Sequence, residues 1–349
     1  MFSSDTLDSF LFRIMKDGLT PSLCISVVDH EKVLYKSAMG YRAVLPYEED
    51  ADIDTLYDLS GITKVVQTTM LALRLIEKDR LSFDTTVGEM LPDAGEYSDV
   101  TVLQLLTHTS GFAPELRLSD YVDTPERAIE RILKTPKMYE TGKGEAYSCF
   151  GYIILGRMLE IAARMPLEAA SVKYVYEPLG MSHTFTNPYE KGYRNIASTD
   201  FDELTGKMIK GIVHDENAKF MGGVSGNAGA FSNLADMSIF MRMLLSNGKL
   251  PDGSAFLSED MIERLHTDYT PGLDNARGLG VILGSRGNPP IVKDFPYFSY
   301  GVTGFTGTSI WVVPELDRAV CILTNHIHPK NDEHRLGGRL KELHSLIFC

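Results

Sequence analysis

The sequence predicts an α/β chain with two lobes: a sheet lobe drawn from both ends and a mainly helical lobe between them. Apolar, β-branched runs of strand length cluster near the start and return near the end. The stretch between, about 80–245, carries helical periodicity broken by Gly, Pro, Asn and Asp loops. A length of 349 residues suffices for one large mixed domain or two lobes sharing a core. The expected division is one domain over 1–349, with the sheet lobe at about 1–60 and 246–349 and the helical lobe at about 61–245.

Taken in order, residues 6–17 read as an amphipathic helix, with Leu7, Phe10, Leu11, Ile14 and Met15 on one side. LCISVVDHEKVLYKSAMGY then reads as a hairpin, two apolar runs around a polar DHEK turn. A long helix is expected over 61–79, starting at a Ser-Gly pair. TVLQLLTHTSG, TPERAIERILKTP, YIILGRMLEIAARM and LADMSIFMRMLLSNG are the helical patterns of the middle. GLGVILG, TSIWVVPE and RAVCILTN return to strand character, and KNDEHRLGGRLKELHSLIF closes the chain as a helix.

A hydrophobic share of 44% and a charged share of 23% exclude a disordered or fibrous chain. The net charge of -13 excludes nucleic acid and an anionic membrane surface as partners. It leaves a small neutral or cationic molecule open. Cys24, Cys149, Cys321 and Cys349 show no CxxC spacing, so free buried thiols are expected, with no metal site and no disulfide framework. The first 18 residues mix charges into their apolar positions, unlike a signal peptide, and no run reaches the roughly 18 apolar residues of a membrane span. A cytoplasmic location is the expectation, although a trimmed secreted chain would read the same.

Acyl transfer by a serine enzyme needs a nucleophile, a group to take its proton, donors for the oxyanion and a wall for the substrate. A Ser-x-x-Lys turn at a helix start supplies the first two, because i and i+3 share one helix face. Here the segment reads Tyr57-Asp58-Leu59-Ser60-Gly61-Ile62-Thr63-Lys64. It is followed by Leu105-Leu106-Thr107-His108-Thr109-Ser110-Gly111, by Tyr147-Ser148-Cys149 ahead of an apolar helix, and by Val302-Thr303-Gly304-Phe305 in a strand-like run. These strings, in this order, resemble the motifs of the serine β-lactamase and penicillin-binding-protein family, in its class C β-lactamase-related branch of esterases and low-molecular-weight penicillin-binding proteins. The resemblance runs from about Pro21 to Pro329. It implies an antiparallel sheet flanked by helices, a helical lobe and a cleft between them, with no cofactor and a small acyl substrate or ligand as partner.

Carried over position by position, the resemblance puts the motif lysine at Lys64 and the serine slot at Gly61. Tyr147 falls on the tyrosine that helps accept the nucleophile's proton, its pKa depressed by the neighbouring lysine. Cys149 stands in an asparagine slot; a small filler is the simpler reading there and a reactive thiol the bolder one. Val302 replaces the cationic or hydrogen-bonding residue of a triplet in which Thr303 and Gly304 fit. The backbone amides of Gly61 and Phe305 are the implied oxyanion donors, and Asn227 replaces a histidine. His108 reads as a hydrogen-bonded buried residue, and His214 with Asp215 as a loop clamp more than an acid–base pair. His326 and His328 alternate like strand residues without a third ligand to make a metal site.

Three functional readings follow. The chain is a serine hydrolase, acting on an ester, a β-lactam or a D-amino-acid peptide, in which Gly61 is an introduced replacement. Or it is a natural, catalytically inactive relative that binds a ligand in the old cleft. Or Ser60, at i to i+4 from Lys64, is a displaced nucleophile.

Overall fold

The computed structural model describes residues 3–202, 205–286, 298–329 and 336–348. Its strands, in chain order, are β1 (Ser22–Val28), β2 (Val33–Ala43), β3 (Glu49–Asp50), β4 (Tyr57–Asp58), β5 (Ser198–Asp202), β6 (Lys207–Lys210), β7 (Phe231–Ser232), β8 (Ile282–Leu283), β9 (Tyr300–Thr303), β10 (Ser309–Val313) and β11 (Arg318–Thr324). Seven of them form one antiparallel sheet in the order β3-β2-β1-β11-β10-β9-β8. The centre of the sheet pairs the two ends of the chain, with Ile25 opposite Ile322 and Val27 opposite Val320.

Both faces of the sheet are covered, so β1 is buried at every position and reads as a continuous apolar run. Period-two alternation sorts its side chains. Leu23, Ile25, Val27, Trp311, Val320 and Ile322 meet the helices Ser4–Lys16 and Gly337–Phe348 on one face. Cys24, Val28, Ile310, Val312, Cys321 and Leu323 join the large core on the other, where Met237 and Met241 of the helix Leu234–Leu245 pack. Ser26 Oγ and Ser238 Oγ, 2.7 Å apart, tie that helix to β1.

The helical patterns appear as Val102–Leu106, Pro125–Leu133 and Cys149–Ala163. The long helix expected at 61–79 is instead a composite. A 3-10 turn (Ser60–Ile62) leads into a π-helical stretch (Lys64–Thr69) and then an α-helix (Met70–Ile76). Every residue of the π-helical stretch is buried, Lys64, Gln67 and Thr68 included. Two small sheets, β4-β7 and β5-β6, interrupt the middle of the chain, which helical periodicity alone did not anticipate. GLGVILG contributes only the two-residue β8. β11 ends at Thr324, so His326 and His328 lie in a turn, contrary to their strand-like alternation. Cys24, Cys149 and Cys321 are free and buried, and Cys349 lies outside the described residues. No helix among the described residues is long and apolar enough to cross a membrane.

Candidate functional site

The short β4-β7 ladder places Asp58 beside Phe231 and sends the chain into a tight turn at Ser60. Asp58 is buried, and its carboxylate accepts the backbone N–H of Ser60 and of His214, each at 2.8 Å. Burial pushes this carboxyl up to about 6, against the pull of those two N–H groups. Ser60 has φ +48°, a left-handed conformation that strains a residue with a side chain. Its hydroxyl accepts the N–H of Phe305 at 3.1 Å. The turn after β9 is clamped to the same segment, Thr306 Oγ1 donating to the Asp58 carbonyl at 2.9 Å.

Gly61 follows directly. A Cβ at this position would stand 2.8 Å from the Tyr147 hydroxyl and 3.1 Å from the Thr303 carbonyl oxygen. The missing side chain therefore leaves a direction that Tyr147 has filled. One helical turn on, Lys64 is 2% exposed. Its Nζ donates to the Asn227 carbonyl at 3.0 Å, lies 3.5 Å from Cys149 Sγ, and sits 4.6 Å from the centre of the Tyr147 ring. Gln67 and Thr68 donate to the carbonyls of Ser225 and Gly226. The glycine-rich run thus lays its carbonyls along the buried face of the helix. Gly226 is needed there, because a Cβ would collide with the Tyr152 carbonyl.

Tyr147 lies just ahead of the helix Cys149–Ala163, whose N-cap is Ser148, its hydroxyl accepting the Gly151 N–H at 3.1 Å. His108 braces the approach. Its Nδ1 accepts the Ser148 N–H at 3.1 Å, and its carbonyl accepts the Ala146 N–H at 3.1 Å and the Tyr139 hydroxyl at 3.0 Å. Its ring leans on those of Tyr147 and Tyr152. Burial, with Arg277 and Lys64 nearby, holds the imidazole well below its usual range, so it is neutral at pH 7. Two residues before Tyr147, Glu145 forms a buried ion pair with Arg277 (2.7 Å) and accepts Asn275 Nδ2 at 2.9 Å.

Gly61, Lys64, Tyr147, Cys149, Val302, Thr303, Gly304 and Phe305 all line one cleft of about 1000 Å3. They differ in what they show to it. Phe305 is 49% exposed and stacks on His214, ring centres 5.5 Å apart. Val302 is mostly buried and belongs to the large core. Tyr147 shows 38% of its surface, while its hydroxyl end points inward to Gly61. Burial pushes that hydroxyl upward and Lys64 pulls it back only in part, so its net shift opposes the depressed pKa expected of a proton acceptor. Burial alone disfavours the Lys64 ammonium, but the adjoining Cys149 and Tyr147 groups outweigh it and the net shift is upward.

Ser60 meets the Phe305 amide, whereas Lys64 is turned to Asn227 and Cys149. His214 and Asp215 do not pair with each other. The His214 N–H goes to Asp58, and Asp215 caps the short helix Glu216–Phe220 by accepting the Ala218 N–H at 2.7 Å. Sequence reading missed the Glu145–Arg277 pair, the Asp58 clamp and the Ser60–Phe305 contact. Asp58, Ser60 and Phe305 stand inside the motif strings, yet nothing in a string signals a partner 245 residues away.

The family model described as Beta-lactamase matches residues 7–344. A Salmonella enteritidis protein named as a D-alanyl-D-alanine carboxypeptidase is 28% identical over 351 residues, covering 89% of this chain and 80% of the relative. A Salmonella typhimurium protein of the same name matches to the same extent. The octameric penicillin-binding protein homologue from Pyrococcus abyssi superposes with TM-score 0.74 at 24% identity, over 92% of this chain and 73% of that one. A hydrolase with promiscuous acyltransferase activity superposes with TM-score 0.79 at 19% identity, over 99% and 98%. These two superpositions speak to the fold.

Proposed function

Because the chain belongs to the Beta-lactamase family of serine-hydrolase folds, we propose that it is a member whose cleft binds an acyl compound without attacking it, position 61 lacking the nucleophile. The observation that carries this reading is the Tyr147 hydroxyl in the direction a residue-61 side chain would take. Two features support it. Lys64 Nζ is directed to a carbonyl and a thiol, not to the side-chain direction of position 61. Ser60 covers the amide of Phe305, one of the two implied oxyanion donors.

The same geometry favours a neutral or amine-bearing ester or amide over an anionic β-lactam. Val302 gives the β9 wall no charge, Arg277 is engaged by Glu145 and Arg117 by Glu216, and Glu115 and Asp215 line the opening. The reading in which Gly61 replaces a working serine draws support from Lys64 and Tyr147, which flank the empty position. Ser60 as nucleophile draws none, since its hydroxyl sits on the Phe305 amide and has no bond to Lys64 among the described residues.

The test is intact-mass detection of an acyl adduct after exposure to chromogenic esters and cephalosporins, in the presence of EDTA. The unmodified protein is expected to stay unlabelled, and Gly61→Ser to gain one acyl group. An adduct on the unmodified protein sinks the inactive-cleft reading. No adduct on Gly61→Ser sinks the view that one side chain is all that acylation lacks.

A further inference from the structure

Cys149 has company that the small-filler reading does not explain. One ligand atom each from Glu115, Cys149 and Asp215 lies within 4.8 Å of the others, at the wall of the cleft. Cys149 is 7% exposed. Glu115 makes no hydrogen bond or ion pair among the described residues, and one oxygen of Asp215 is occupied as a helix cap. On the inner side stand N–H donors. Lys64 Nζ is 3.5 Å from the sulfur. The Asn227 side chain faces it, and Asn227 Nδ2, in a fully buried residue, has no acceptor placed to take its hydrogens. An orphaned buried amide donor costs about 1–3 kcal/mol, and a thiolate at Cys149 would give it an acceptor.

We propose that Glu115, Cys149 and Asp215 form a three-ligand site for a divalent cation of zinc type. Charge points the same way as geometry. A thiolate beside two carboxylates is opposed by one ammonium alone, and a divalent cation brings the group to neutrality. Thiolate with carboxylate selects zinc-like ions over magnesium or calcium. A tetrahedral zinc holds such donors about 3.5 Å apart and keeps a fourth position for water or a ligand atom. Lys64 and Asn227 would then be the N–H donors to the metal-bound sulfur, the outer partners that hold a ligand in its bound form. The proposal stands apart from the acyl reading, because metal binding is measured with no acyl compound present.

The experiment is titration of the metal-free protein with Co2+, followed by absorption, with Zn2+ as competitor. The expected result is a thiolate-to-cobalt charge-transfer band that Zn2+ bleaches and that Cys149→Ser abolishes, although the other cysteines remain. Glu115→Gln, at an exposed side chain, should weaken binding by at least about tenfold, and Asn227→Ala by about 10- to 100-fold. Circular dichroism establishes that each variant is folded. No band in the unmodified protein, or a band that survives Cys149→Ser, overturns the site.

Discussion

The segment that presents Tyr147 and the turn that presents Gly61 meet at the floor of the cleft, and they are held in different ways. The first is braced from behind. His108 receives the Ser148 N–H, and Glu145 is locked to Arg277 and Asn275. Every polar group named there is paired to protein except His108 Nε2. The second is held by one ionisable carboxylate, Asp58, through a residue with positive φ. The bracing lies mostly behind the cleft, with Arg277 alone of its members at the wall, while Gly61, Cys149 and Val302 line the cleft directly. A fold of this kind does not fix the chemistry of its cleft, so the two parts can be perturbed separately.

Breaking the bracing should cost the most. Arg277→Met leaves the Glu145 carboxylate buried without its partner, a loss of about 3–5 kcal/mol. Urea unfolding should show that loss. The double change of Arg277 and Glu145 to Met should recover most of it, and a double variant as unstable as the single would mean the pair is not the brace.

The turn should respond to pH. Asp58 has its carboxyl pushed up to about 6, against about 4 in an unfolded chain. The fold therefore favours the protonated form. That contribution is complete below about pH 4 and is lost as pH rises through about 6, amounting to about 3 kcal/mol by pH 7. Asp58→Asn keeps one acceptor oxygen and removes the titration. The stability difference between pH 4 and pH 7 should shift by about that amount relative to the parent protein. Parallel pH profiles would remove Asp58 as the titrating clamp.

The smallest effect concerns Ser60. In a Gly61→Ser background, Ser60→Gly frees the Phe305 amide and suits a positive φ. Acylation should quicken by about tenfold, about 1.4 kcal/mol of barrier. Equal rates with and without the Ser60 hydroxyl would show that it does not obstruct the donor.

What was legible in the sequence follows the range of the interactions. The β1-β2 hairpin could be read because its apolar runs and DHEK turn are local. Lys64, Tyr147 and Gly304 were expected at one site from motif spacing, and all three line one cleft. The β5-β6 hairpin was hidden among helical patterns, since its polar STDFD and KMIK runs lack a strong apolar alternation. The Glu145–Arg277 pair and the Ser60–Phe305 bond join positions 132 and 245 residues apart, and no local pattern encodes such a meeting. The direction of the Tyr147 shift was missed for a related reason. Sequence shows the lysine beside it, but not how far the site is closed to water.

The pairing of β1 with β11 has a kinetic side. Leu23 waits for Thr324, about 300 residues later in synthesis, before the middle of the sheet can close. Until then the apolar edge of the β1-β2 hairpin has no neighbour on that side, and loop closure over such a span is slow. A ribosome-bound or refolding chain is therefore exposed to edge-to-edge association until its last strand arrives. Refolding yield should depend on protein concentration more steeply than the stability of the finished fold would suggest.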